Sequence, residues 1–131
     1  MGKRILMQAI FQTNYTSADH LGPKEVPKPA PGNDEVLVRV HATSVNDWDL
    51  GRIVGPPLSM RPLFGWCKPK MQIAGCDVAG VVEARGSDVE RFTPGEAVYG
   101  DIHACGFGAY AEYVCADQDA LPAQALDPVV R

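Results

Sequence analysis

The chain is expected to fold mainly as β, into a barrel or a sandwich of five or six short strands with one or two short helices. Three observations carry that expectation. Short apolar runs rich in β-branched residues recur along the 131 residues, with the length and composition of half-buried strands. Thirteen glycines and eleven prolines cut these runs apart, as closely spaced turns require. No stretch keeps helical periodicity for more than about two turns, which argues against strands joined by crossover helices.

The first strand is predicted near Arg4 to Phe11, where Ile5, Met7, Ala9 and Phe11 alternate with mixed positions. A loop follows from Asn14 to Gly22, and then Pro23, Pro27, Pro29 and Pro31 ahead of Gly32. Proline lacks the N–H that a central strand must donate, so this stretch reads as an extended surface connector. The clearest strand spans residues 36–42, with Val36, Val38, Val40 and Ala42 on one face and Arg39, His41 and Thr43 on the other. Asn46 or Asp47 can cap a short helix through Trp48, Asp49, Leu50 and Ile53, which Gly55-Pro56-Pro57 ends. Residues 58–71 hold Pro62, Phe64, Gly65, Trp66 and Pro69; so long an irregular stretch points to function or to a partner surface. Further strands are expected over residues 78–84, 97–99 and 109–115, with turns at Gly86, Gly106 and Gly108.

At 131 residues the chain is one domain by size, large enough for a core without metal or disulfide staples. Twelve basic residues against sixteen acidic give a net charge of −4 with no basic cluster, which argues against nucleic acid or an anionic membrane surface as partner. No apolar run has the length needed to cross a bilayer. The basic-then-apolar start, Met1 to Gln8, is interrupted by Gln8 and Gln12 and shows no small-residue cleavage site, so no secretory signal is read and a cytoplasmic location is expected. Cys67, Cys76, Cys105 and Cys115 form no C-x-x-C and match no zinc-module spacing. Four reduced thiols are expected, with a Cys105–Cys115 bridge as the alternative.

Five segments, in order, carry a family resemblance. They are Pro31 to Val40 (P-x-x-x-E-V-L-V-R-V), Ala42 to Asp49 (A-x-S-V-N-x-x-D), Lys68 to Asp77 leading into G-x-D-x-x-G-x-V, Phe92 to Gly100 (F-x-x-G-E-x-V-x-G), and Gly106 to Tyr113, whose Gly108-Ala109-Tyr110-Ala111-Glu112-Tyr113 matches G-x-[FY]-A-E-Y. From about Ile5 to Leu121 the chain resembles the GroES-like catalytic domain of the medium-chain dehydrogenase/reductase family, closest to its zinc-independent, quinone oxidoreductase-like branch. The resemblance implies a GroES-like partly open β-barrel over residues 1–121, with residues 122–131 a divergent tail where a nucleotide-binding domain would start. It implies NADP(H) or NAD(H) as cofactor of the complete enzyme and a small-molecule quinone, enone or carbonyl substrate. The chain is expected to be either a native short protein or a fragment of such an enzyme.

The family's zinc-using alcohol dehydrogenases place metal ligands in segments that here hold Asn46, Cys76 and Asp77. An Asn amide is a poor zinc ligand, and one thiolate with one carboxylate completes no zinc set, so no metal is expected. By the same resemblance Asn46 lies near the cofactor's nicotinamide end, where an amide offers both donor and acceptor without adding charge; capping the short helix is the other reading, and the two are compatible. Asp49 helps shape the site by resemblance, or is a carboxylate on the helix surface. Trp48 floors a substrate pocket or packs the barrel mouth. Asp77 reads as structural, holding backbone N–H groups of a turn. Cys76 has no neighbouring His or Lys in sequence to activate it, and His20, His41 and His103 stand isolated.

No G-x-G-x-x-G follows a predicted strand within the 131 residues, so the cofactor's diphosphate finds no glycine-rich turn and helix N-terminus here. The loop Asn14-Tyr15-Thr16 also replaces a glycine of the family pattern. A nicotinamide-side wall alone offers a millimolar site, about −4 kcal/mol, so little or no independent activity is expected. The face that a second domain would cover is expected to be hidden by self-association or a partner, with Met60, Phe64 and Trp66 as contacts. The competing expectation is a stand-alone GroES-like assembly or protein-binding module without redox chemistry. A third is a small-ligand barrel with Trp48 and Trp66 at its mouth.

Overall fold

The structure is a computed structural model that describes residues 5–12, 15, 21–45, 47–55, 59, 62, 72–102 and 108–122; the side chains at positions 47, 48, 50 and 52 lie outside that description. Strand β1, Leu6–Phe11, pairs antiparallel with β2, Gly22–Pro27, in a two-stranded sheet. Strands β3 (Glu35–Thr43), β4 (Asp77–Arg85), β5 (Ala97–Asp101) and β6 (Tyr113–Asp117) form an antiparallel sheet in the order β5-β4-β3-β6. Bridges Ala9↔Ala111 and Phe11↔Ile73 join β1 to segments flanking the larger sheet. Helix α1, Asp47–Val54, connects β3 to β4. This is the partly open, mainly β GroES-like barrel that the sequence predicts, with the short helix α1 after β3 and a 3-10 turn at Gln118–Ala120 after β6.

The main core lies on one face of the larger sheet. Val36, Val38, Val82, Val98 and Ala116 are sealed there with Phe92, Ile102 and Leu121, each large side chain contributing about 1.5–3 kcal/mol by leaving water. Met7, Ala9 and Val26 form a second, smaller cluster between β1 and β2.

The proline-rich connector is in part a strand. The Lys28 N–H donates to the Ile5 carbonyl at 2.8 Å, so the N–H groups turned toward β1 belong to even-numbered residues. Pro23 and Pro27 fall on the alternate positions, where the missing N–H costs no ladder bond.

The face assignment of β3 holds only for its first half. Val36 and Val38 are fully buried, but Ala42 is exposed. The register jumps from Val40↔Gly80 to Ala42↔Ala79, leaving His41 as the extra residue of a bulge, and one extra residue reverses the side chains that follow. Gly80 is required opposite the bulge, because a Cβ there would collide with the Arg39 backbone carbonyl. The last predicted strand also moves: β6 starts at Tyr113, and Ala111 keeps only its bridge to Ala9.

Met60, Phe64, Trp66, His20, His103, Cys67 and Cys105 lie outside the described residues. Among the described residues no helix is long and apolar enough to cross a membrane.

Candidate functional site

The bulge at His41 turns the end of β3 away from the core, so Thr43, Ser44 and Val45 run exposed toward α1. Two hydroxyls fasten this end to Asp77, the first residue of β4. Thr43 Oγ1 donates to the Asp77 carbonyl at 2.6 Å, and Ser44 Oγ donates to Asp77 Oδ2 at 2.7 Å. The Asp77 carboxylate, on the first residue of β4, thus accepts from a hydroxyl of the segment that follows β3.

Asn46 lies outside the described residues, as does the side chain of Trp48. Asp49 is fully buried, which sets aside its reading as a helix-surface carboxylate. The Tyr110 hydroxyl donates to the Ser44 carbonyl at 3.2 Å and faces the Asp49 carboxylate. Burial, first, and the Asp49 carboxylate, second, hold the Tyr110 phenol well above its ordinary pKa, so it stays protonated and able to donate at any physiological pH. The far turn of α1 is held by buried Gln12, whose Nε2 donates to the Ile53 carbonyl at 3.0 Å. Gly55, with φ of 112°, ends the helix.

Tyr110 is the residue that sequence reasoning passed over. It occupies the aromatic position of G-x-[FY]-A-E-Y, which looks like a strand residue with alternating burial. Its signal lay in Gly75, 35 positions earlier and close only in the fold. Gly75 has φ of 106°, and a Cβ there would sit 2.8 Å from both the Tyr110 ring and its backbone nitrogen. Bonds from Tyr110 N to the Ala74 carbonyl (3.0 Å) and from Ala109 N to the Gly75 carbonyl (3.1 Å) lock the two segments together.

Beside this clamp runs a shallow groove of about 590 Å³, lined by Ala9, Ile10, Val40, Val45, Ala109 and Tyr110 among others. Its walls are mainly apolar, and Val45 projects into solvent beside it, 70% exposed. Cys76 is buried, and its sulfur lies with carboxylate oxygens of Asp77 and Asp101 in a group whose atoms are all within 4.8 Å of one another.

The comparisons agree with this architecture. The model of the alcohol dehydrogenase GroES-like domain matches residues 32–124. A chloroplastic quinone oxidoreductase of Triphysaria versicolor is 38% identical over 117 residues, 86% of this chain and 33% of that protein. The 2-methylene-furan-3-one reductase of Solanum lycopersicum is 34% identical over 119 residues, 86% of this chain and 29% of that protein. The solved quinone oxidoreductase of Coxiella burnetii superposes with a TM-score of 0.75 at 28% identity, covering 90% of this chain and 37% of its own. The chain therefore spans about a third of the length of these relatives. With a family model matched over well over half of its residues, the chain belongs to the alcohol dehydrogenase GroES-like domain family and is related to the quinone oxidoreductases.

Proposed function

We propose that the chain is the catalytic-domain portion of a zinc-free NAD(P)H-dependent oxidoreductase that reduces a quinone, an enone or another small carbonyl compound. The observation that carries this reading is the double anchorage of Thr43 and Ser44, onto Asp77 and onto Tyr110, beside a mainly apolar groove. A flat conjugated ring fits such a groove, and a preformed wall keeps its polar groups aimed without reorganisation.

A reduced nicotinamide, when bound, supplies the hydride. The chain's own part is positional. Asn46 would orient the carboxamide or ribose through its amide, Trp48 would floor the substrate pocket, and Asp49 would shape it from within α1. The 131 residues contain no glycine-rich diphosphate turn, so the chain would hold the nicotinamide end alone and show weak activity or none.

The same reading is zinc-free. Tetrahedral zinc, with bonds of about 2.0–2.3 Å, needs four ligand atoms roughly 3.5 Å apart. Among the described residues, Cys76, Asp77 and Asp101 bring one thiol and two carboxylates, and Asp77 Oδ2 already accepts a hydrogen bond from Ser44. A reducing, cytoplasmic setting belongs to the same reading.

One observation favours the competing assembly module. Val45, two residues before α1, and Val54, its last residue, are 70% and 60% exposed, which suits a face covered by another lobe, a second copy or a partner. Titrating the chain into NADPH, with nicotinamide fluorescence as readout and with and without a quinone, separates the two. A weak response still unsaturated at hundreds of micromolar and unchanged by added zinc is expected. A flat response, together with a discrete oligomer in light scattering, would instead establish the module.

A further inference from the structure

The segment that would face the nicotinamide is held at its start by Asp77, and its other tether is Tyr110. The Tyr110 backbone is itself immobilised on both sides. Its N–H donates to the Ala74 carbonyl at 3.0 Å, and its carbonyl accepts from Ile10 N at 2.8 Å. From that fixed base the phenol reaches the Ser44 carbonyl at 3.2 Å and the fully buried Asp49 carboxylate. These two contacts bracket position 46 in the sequence, two residues before it and three after.

We propose that Tyr110 is the positioning residue of this wall: its hydroxyl, shared between Ser44 and Asp49, fixes the residues on either side of Asn46 so that they meet a nicotinamide without prior ordering. The inference rests on the nicotinamide-facing reading given above. Its physical basis is that a segment already ordered loses less entropy on binding. A buried carboxylate deprived of the hydroxyl it faces would also push the first turn of α1 toward solvent. Tyr110 touches no reacting atom in this account and acts only through Ser44 and Asp49.

The test uses Tyr110→Phe, which deletes the hydroxyl and keeps the ring against Gly75, with Asp49→Asn as a second variant should the first fail to fold and Tyr99→Phe as a surface control. Two readouts are taken at a temperature where all variants are folded. One is the set of backbone amide order parameters; the other is the affinity for NADPH. In Tyr110→Phe the order parameters at Ser44, Val45 and Asp49 should fall from about 0.85 toward about 0.6 while β3 and β4 keep theirs. The NADPH affinity should drop about tenfold, the scale of one lost hydrogen bond. Order parameters unchanged at Ser44, Val45 and Asp49, or lowered throughout the domain, overturn the proposal, as does a loosened segment with undiminished affinity. A wild-type chain that ignores NADPH overturns the nicotinamide reading instead, and the order parameters then still judge the clamp.

Discussion

A methyl group on Gly75 would have to occupy space 2.8 Å from the Tyr110 ring and 2.9 Å from the Ala109 side chain, on a backbone held at φ of 106°. Neither neighbour can withdraw, because both are tied back to Ala74 and Gly75 by their own N–H groups. Gly75→Ala is therefore expected to cost about 3 kcal/mol, the sum of a strained φ and a displaced core segment, read as a shift in the urea midpoint. A loss below about 1 kcal/mol would show that the two segments separate easily. Cys115 illustrates the opposite kind of residue. Burial, and then the nearby Glu35 carboxylate, push its thiol up to about 11, so it is packing rather than chemistry.

At the scale of elements, an ion pair spans the two sheets. Lys28, just beyond β2, contacts Glu83 of β4 at 2.6 Å and lies over the Tyr113 ring at 4.0 Å. The Lys28 hydrogen bond lowers the Glu83 carboxyl from its ordinary 4.5. A depressed carboxyl stabilises the fold above that ordinary value, and the contribution disappears as pH falls through the folded-state value. Glu83→Gln should accordingly cost about 0.5 kcal/mol at pH 7, the scale of a partly exposed pair. The difference from wild type should close in acid, below about pH 4. A difference that persists undiminished at pH 3 would assign the effect to packing.

The bulk of these elements was legible in the sequence, because short strands with alternating burial leave a period-two pattern and glycines mark their ends. What was not legible depends on partners distant in sequence. The bulge at His41 leaves no local mark, since its cause is the register against Gly80, and alternation therefore mispredicts Ala42. The strand at Gly22–Pro27 was concealed by prolines whose harmlessness depends on which way each N–H points relative to β1. Asp49 looked like a surface carboxylate because an eight-residue helix shows too few turns to reveal its buried stripe. The site was legible as a family segment, but not as a clamp.

For the molecule as a whole, the larger sheet supplies a rigid frame and the bulged end of β3 carries the candidate wall away from it. The order of causes runs from Gly75 to Tyr110, from Tyr110 to Ser44 and Asp49, and from these to the segment around position 46. The relatives matched are about three times as long as this chain, and under the proposed function it would supply only the nicotinamide side of a cleft. That division can be measured by comparing the dissociation constants of NADPH and reduced nicotinamide mononucleotide, which lacks the adenosine half, by backbone amide shifts in one set of titrations. The account predicts that both are near millimolar and agree within about threefold, with shifts centred on residues 43–49 and Tyr110. NADPH binding more than about thirtyfold tighter, about 2 kcal/mol gained from its adenosine half, would contradict it.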